Sequence, residues 1–286
     1  MRTNLPNLKV LAAAAAIVGT GVALGHEQAR PAATVVPAPQ VTTAAALPAP
    51  VAVSAQAARA VLAGVGIESG AREAQVKTAL GALGDKVAEQ SYPDALKLAF
   101  EAYYSFKAAH PEKVRKPYLY FVDYGLDSHT PRGYVFDMQA LTVVDGPFTV
   151  AHGRGSGSKD GVPTRFSNTE GSATSSLGLF VGQETYAFTG HTGGKAYSSV
   201  ALRLDGVSGD FNDQARQRRV VVHGAPYVTP TKAGRSEGCP AMEPARAKKL
   251  IPKIGNGGMV FLFSPADKTW LAEDPWTHGG QMAAAD

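Results

Sequence analysis

The chain has 286 residues, a formal net charge of +4 and one cysteine. Without residues 1–25 it loses Arg2 and Lys9 and no acidic residue, leaving +2, too weak a field for an electrostatic nucleic-acid footprint, so no nucleic-acid partner is expected. A single cysteine also excludes a disulfide within the chain, which makes Cys239 an unpaired thiol.

Residues 1–25 read as a signal peptide. Arg2 and Lys9 lie in an acid-free start, an apolar run follows from Val10 to Leu24, and Ala23 and Gly25 fit a small-x-small cleavage pattern. The run falls short of the roughly 20 apolar residues that a spanning helix needs. The chain is therefore expected to be exported to the periplasm or cell envelope, with an N-terminal membrane tether only where the signal stays uncleaved. Residues 26–55 are almost entirely Ala, Pro, Val and Thr, as in Leu47-Pro48-Ala49-Pro50, and read as a linker.

Residues 56–116 form a helical N-terminal segment by composition. Leu96, Ala99, Phe100, Tyr103 and Phe106 recur at helical spacing and predict a helix that begins near Pro93, stops at His110-Pro111 and packs its aromatic stripe on a sheet. From 117 to 286 the pattern becomes short β-rich runs separated by Gly, Asp, Asn and Ser: 118–122, 134–136, 141–144, 148–151, 179–181, 200–204, 220–223 and 259–263. A short helix from Glu243 to Ile254 begins at Pro244. The expected fold class is mainly β with short helices, with long connections over 152–177 and 205–217. The basic runs Arg216-Gln217-Arg218-Arg219 and Lys248-Lys249 read as solvated faces.

Exported cysteines usually end in disulfides, so a lone thiol points to chemistry. Cys239 lies in Gly234-Arg235-Ser236-Glu237-Gly238-Cys239-Pro240, sixteen residues after His223. Val220-Val221-Val222 is an apolar strand that leaves His223 at its end, and Gly224 turns the chain without an obstructing side chain. If the loop 225–238 closes, imidazole and thiol meet. A free cysteine has a pKa of roughly 8.5, and an adjacent histidine lowers that value or removes the proton directly. Acyl transfer also needs oxyanion donors, and the N–H groups around Glu237, Gly238 and Cys239 are the natural supply because Pro240 has none. The competing reading makes Cys239 a small buried hydrophobe and His223 a satisfied strand-end residue. Histidines at 152, 191, 223 and 278 with one cysteine lack metal-ligand spacing, so no metal site is expected.

A His-Gly pair followed by Ser-x-Gly-Cys resembles the L,D-transpeptidase catalytic domain, the YkuD-like fold. Ser175-Ser176-Leu177-Gly178-Leu179-Phe180 is similar to that family's Thr-Pro-x-Gly-x-Phe strand opening, and Val150 to Gly157 and Gly234 to Ala241 resemble its murein L,D-transpeptidase catalytic domain branch. The resemblance covers about 117–265. It implies a β-sandwich or barrel, Cys239 as nucleophile, His223 as base, and the Gly224 carbonyl holding the imidazole tautomer. It implies no cofactor. Its partners are peptidoglycan stem peptides, one as acyl donor and one as acceptor.

Two positions depart from the family pattern. Glu237 replaces a second histidine, and Cys239-Pro240-Ala241 lacks the arginine or asparagine that ends the wider motif. A substrate carboxylate would then be met elsewhere, by Arg235 or Arg154, with Ser236, His152 and His191 as further groove candidates. Two other functions stay open: an L,D-carboxypeptidase in which water resolves the same acyl-enzyme, and a non-catalytic cell-wall binding or scaffolding protein.

Overall fold

The structure, a computed structural model, describes residues 55–157 and 161–277, with side chains from Ser69 onward. The described residues all belong to one compact unit, Val53–Asp286. The expected signal peptide, and the expected linker up to residue 54, lie outside the described residues. No helix among those described is long and apolar enough to cross a membrane.

Two helices come first, α1 (Ala55–Leu83) and α2 (Ala95–Ala109), and they pack on each other. Pro93 and Asp94 precede α2, and its last turn closes when the His110 N–H donates to the Phe106 carbonyl at 2.8 Å before Pro111. Leu96, Ala99, Phe100, Tyr103 and Phe106 are all buried, so the helical stripe faces the sheet. Phe100 meets Phe136 edge-on at 5.6 Å.

The strands are β1 (Tyr118–Asp123), β2 (Gly133–Asp137), β3 (Thr142–Phe148), β4 (His152–Gly153), β5 (Gly178–Thr192) and β6 (Lys195–Gly206). After them come β7 (Val221–Gly224), β8 (Val228–Thr229), β9 (Lys232–Ala233), β10 (Arg235–Ser236) and β11 (Ala241–Met242). Helix α3 (Pro244–Ile254), strand β12 (Met259–Phe263) and helix α4 (Lys268–Glu273) complete the order. Eight strands form one sheet in the order β11-β7-β6-β5-β12-β1-β2-β3. Its centre is the parallel pair β1 and β12, whose continuous apolar runs are buried because α2 covers them on one side and α3 also reaches β1.

The sheet curls on itself. Only two residues separate the end of β3, at one edge, from Ala151, whose N–H donates at 2.8 Å to the carbonyl of Ala241 in β11 at the other edge. That short run spans about 10 Å when extended, so the two edges stand close. Arg246 of α3 reinforces the seam: it pairs with Asp145 of β3 and lies over the Phe148 ring at 4.4 Å.

The short strands β4, β8, β9, β10 and β11 fall outside the expected runs, and three of those runs take a different form. The runs at 179–181 and 200–204 are the roots of one long hairpin, β5–β6, paired out to Thr192↔Lys195 with one register shift between Gly182 and Thr185. Most residues between 183 and 199 are half-buried or exposed, so they carry no apolar alternation that would mark a strand. The run at 148–151 is the end of β3 followed by the isolated bridge at Ala151.

Trp270 of α4 is fully buried, meets Phe263 at 5.7 Å and donates Nε1–H to Asp274 at 2.8 Å. Trp270→Ala should cost about 3–5 kcal/mol, read as a lowered midpoint in equilibrium urea unfolding.

Candidate active site

Strand β7 carries His223 into the sheet between two neighbours: it stands opposite Ala201 of β6 and Ala241 of β11. Period-two alternation puts Val221 and His223 on the same face of β7. Cys239 meets the same strand. The Val221 N–H points to its Sγ at 3.5 Å, the His223 N–H donates to the Pro240 carbonyl at 3.3 Å, and the thiol faces the Arg219 carbonyl at 3.9 Å. The fold therefore brings the thiol and imidazole to one strand, across the loop 225–238.

His223 Nδ1 lies 3.1 Å from the Gly224 carbonyl. A carbonyl only accepts, so this contact assigns the proton to Nδ1 and leaves Nε2 with its lone pair. Burial pulls the imidazole pKa below its ordinary value, against the raising effect of that hydrogen bond, and keeps the ring neutral. Phe188 of the β5–β6 hairpin packs on the ring at 4.7 Å, and Tyr227 stands edge-on at 6.5 Å. Burial also pushes the Cys239 thiol up, while the Val221 N–H and the Arg218 guanidinium pull it down and Glu237 adds to the rise. Burial thus favours the neutral form of both thiol and imidazole, which suits direct proton removal rather than a standing ion pair.

The loop that carries Cys239 is fastened from below. Ser236 Oγ donates to the Cys239 carbonyl at 2.6 Å and accepts the Gly238 N–H at 3.1 Å. Ser175 Oγ donates to the Gly238 carbonyl at 3.0 Å and accepts the Gly153 N–H at 3.0 Å, which joins the loop to β4. β10 runs parallel to β4, with Arg235 opposite His152 and Ser236 opposite Gly153. Gly238 has φ +129, and a Cβ there would stand 2.7 Å from the Thr174 carbonyl oxygen. Only glycine fits this turn.

The remaining sequence candidates fall in different places. Ser236 is turned inward as a loop brace rather than toward a groove. The Gly238 N–H, named as an oxyanion donor, is engaged by Ser236, and Glu237 is exposed. His152 is fully buried rather than lining a groove, because its Nδ1 accepts from Arg132 Nη2 at 3.0 Å and lies 3.3 Å from Ser128 Oγ. Arg132 is itself buried and donates to the carbonyls of Val150 and Leu126, so this network supports β4 from inside. Arg154 donates Nε–H to both carboxylate oxygens of Glu237 at 2.8 and 2.9 Å, and Arg235 reaches the Gly157 carbonyl at 3.3 Å; both arginines are exposed. His191 is exposed near the hairpin tip, opposite Ala196, five residues along β6 from the partner of His223 and so about 17 Å away along the strand.

Two groups around the pair were not legible beforehand. Phe188, Tyr197 and Tyr227 form an aromatic wall by His223, with Phe188 and Tyr197 6.1 Å apart; nothing in their spacing connects the hairpin to the loop. Arg218, read as part of a solvated basic run, is half-buried, whereas Arg216 and Arg219 are exposed. Arg219 adopts φ +58, and this left-handed turn separates its side chain from that of its neighbour. Among the described residues, no group of three or more His, Cys, Asp or Glu could hold a metal ion.

The domain is curled and mainly β, and it sets a lone thiol on the strand that ends in His223. The sequence profile of the L,D-transpeptidase catalytic domain matches residues 88–263. The chain belongs to that family, and the match reaches upstream of β1 to take in α2. No curated protein matches the chain. Among solved structures, it is similar to an L,D-transpeptidase from Mycobacterium smegmatis at 16% identity and TM-score 0.32, over 51% of this chain and 58% of that one. One from Mycobacterium tuberculosis H37Rv matches at 16% identity and TM-score 0.29, over 51% and 57%. One from Stackebrandtia nassauensis matches at 14% and 0.33, over 67% and 78%. The alignment spans less than two thirds of either mycobacterial chain.

Gly238→Ala should destabilise the domain by roughly 1–3 kcal/mol, measured by thermal unfolding. Gly171→Ala, at φ +73 with nothing within 4 Å of the added Cβ, is the control and should cost less.

Proposed function

We propose that the chain is an exported cysteine acyltransferase that performs L,D-transpeptidation on peptidoglycan stem peptides. One observation carries this reading: the Gly224 carbonyl holds Nδ1–H of a buried, neutral His223 while the Cys239 thiol lies against the same strand. Family membership supports it. In the proposed reaction, His223 Nε2 takes the thiol proton and the sulfur electron pair attacks the carbonyl of the L-centre in a stem tetrapeptide. The peptide bond to the terminal D-alanine breaks, and the imidazolium returns its proton to the departing amine. The thioester on Cys239 then passes its acyl group to an amine of a neighbouring stem, which loses its proton to His223 as the thiol is restored. The aromatic wall would shield the thioester from water, and water in place of the amine would give the carboxypeptidase outcome instead.

Mature protein incubated with a stem tetrapeptide should gain the mass of the acyl group by intact mass spectrometry, and Cys239→Ala should gain none. His223→Gln should slow adduct formation by about 10²–10⁴-fold. Acceptor stem added afterwards should yield a cross-linked product, whereas release of free tripeptide alone would assign a carboxypeptidase. A folded wild-type protein that forms no adduct would sink the acyl-transfer reading.

Because burial disfavours the imidazolium, His223 loses its base form only below its ordinary value of 6.5. The acid limb of kcat/KM for adduct formation should therefore have its midpoint below 6.5, and a midpoint above it would contradict the neutral-base assignment.

A further inference from the structure

The nucleophile reading raises an electrostatic problem. Sulfur must carry negative charge as its proton leaves, yet burial opposes that charge and the exposed carboxylate of Glu237 adds to the opposition. The residue after Cys239 is Pro240, which has neither a cation nor an N–H to offer. The chain must supply compensation from elsewhere.

Arg218 stands there. Its Nη1 donates to the Ser167 carbonyl at 2.9 Å and to Ser176 Oγ at 2.5 Å, and its Nη2 donates to the Thr174 carbonyl at 3.0 Å and Ser172 Oγ at 3.3 Å. All four acceptors are neutral oxygens. Among the described residues no carboxylate forms an ion pair with this half-buried guanidinium, in contrast to Arg216, which is paired with Glu184, and Arg154, which is paired with Glu237. A rigid hydrogen-bonded fork thus holds a positive charge that makes no direct ion pair, although the carboxylate of Glu170 also acts on it at longer range. Two contacts carry its position to the nucleophile. The residues following Arg218 reach the sulfur directly, through the Arg219 carbonyl at 3.9 Å and the Val221 N–H at 3.5 Å. The Thr174 carbonyl that Arg218 grips is also the atom against which Gly238 turns.

The other ionisable groups around the thiol add no second cation. Tyr124, Tyr186, Tyr197 and Tyr227 are all held neutral by burial, and Glu237 is the facing anion, partly offset by Arg154. His223 receives the proton and so becomes charged only as the thiolate forms.

We propose that Arg218 is a positioning residue that supplies the standing positive charge for the Cys239 thiolate and pins residues 167–176 behind the nucleophile loop. The step it assists is balanced within the pair: the S–H bond breaks, its electrons stay on sulfur, and the proton forms an N–H bond at His223 Nε2. The inference rests on Cys239 being the nucleophile, and its effect appears before any substrate is bound.

Cys239 is the only cysteine, so iodoacetamide alkylation followed by intact mass against pH reports its ionisation alone. Arg218→Gln should raise the midpoint of that profile by about one pH unit, which slows alkylation at pH 7 about tenfold, and leave the high-pH plateau unchanged. Arg218→Met, which keeps the aliphatic stem, is the second neutral variant and should behave alike. Arg218→Lys keeps the charge and should hold the midpoint within a few tenths of a unit of wild type. Thermal unfolding selects the variants that fold, and Arg218→Lys against wild type decides alone if neither neutral variant does. An unchanged midpoint in a folded neutral variant, or a lysine midpoint raised by a unit or more, would overturn the proposal. Acyl adduct formation in the wild type is followed separately: its absence removes the acyl-transfer reading while the alkylation midpoints still decide the role of Arg218.

Discussion

The placement of the Cys239 loop depends on the seam where the curled sheet meets itself. The Ala151–Ala241 bridge brings the end of β3 against β11, and the chain on either side of that bridge carries β4 and the Cys239 loop. Because β11 also pairs with β7, the same closure sets Pro240 and Cys239 alongside His223 and Val221.

This arrangement explains why so many polar side chains near the site face inward. A loop that must hold Cys239 Sγ against the strand of His223 has to satisfy its own backbone first, since each buried, unpaired polar group costs about 1–3 kcal/mol. Ser175 and Ser236 take the Gly238 and Cys239 carbonyls, and the buried Arg132–His152 contact supports β4 beneath them. Burial has an electrostatic consequence as well. It keeps His223 neutral and raises the thiol, so the proposed chemistry needs a charge that is present before the reaction begins.

Much of the framework was legible because it depends on local pattern. The stripe from Leu96 to Phe106 announced α2, Pro244 announced the start of α3, and the apolar runs at 118–122 and 259–263 announced the two central strands. The β5–β6 hairpin was not legible, since its outer half buries too little to impose an alternating pattern. The histidine candidates show the same boundary. Glycine-flanked His152 and His191 look alike in sequence, yet one is sealed in the core beneath β4 and the other is exposed near a hairpin tip.

By itself the sequence determined the chemical types: one thiol, a histidine ending an apolar strand, and a proline that confines any oxyanion donor to residues at or before the thiol. These follow from covalent structure and short-range periodicity. Tertiary structure alone decided which arginine grips the Thr174 carbonyl behind the Cys239 loop, which aromatic rings surround the imidazole, and that Ser236 and His152 support the loop instead of lining a groove. Those assignments join residues from separate parts of the chain, and only closure of the sheet brings them within the few ångströms over which hydrogen bonds and unscreened charges act.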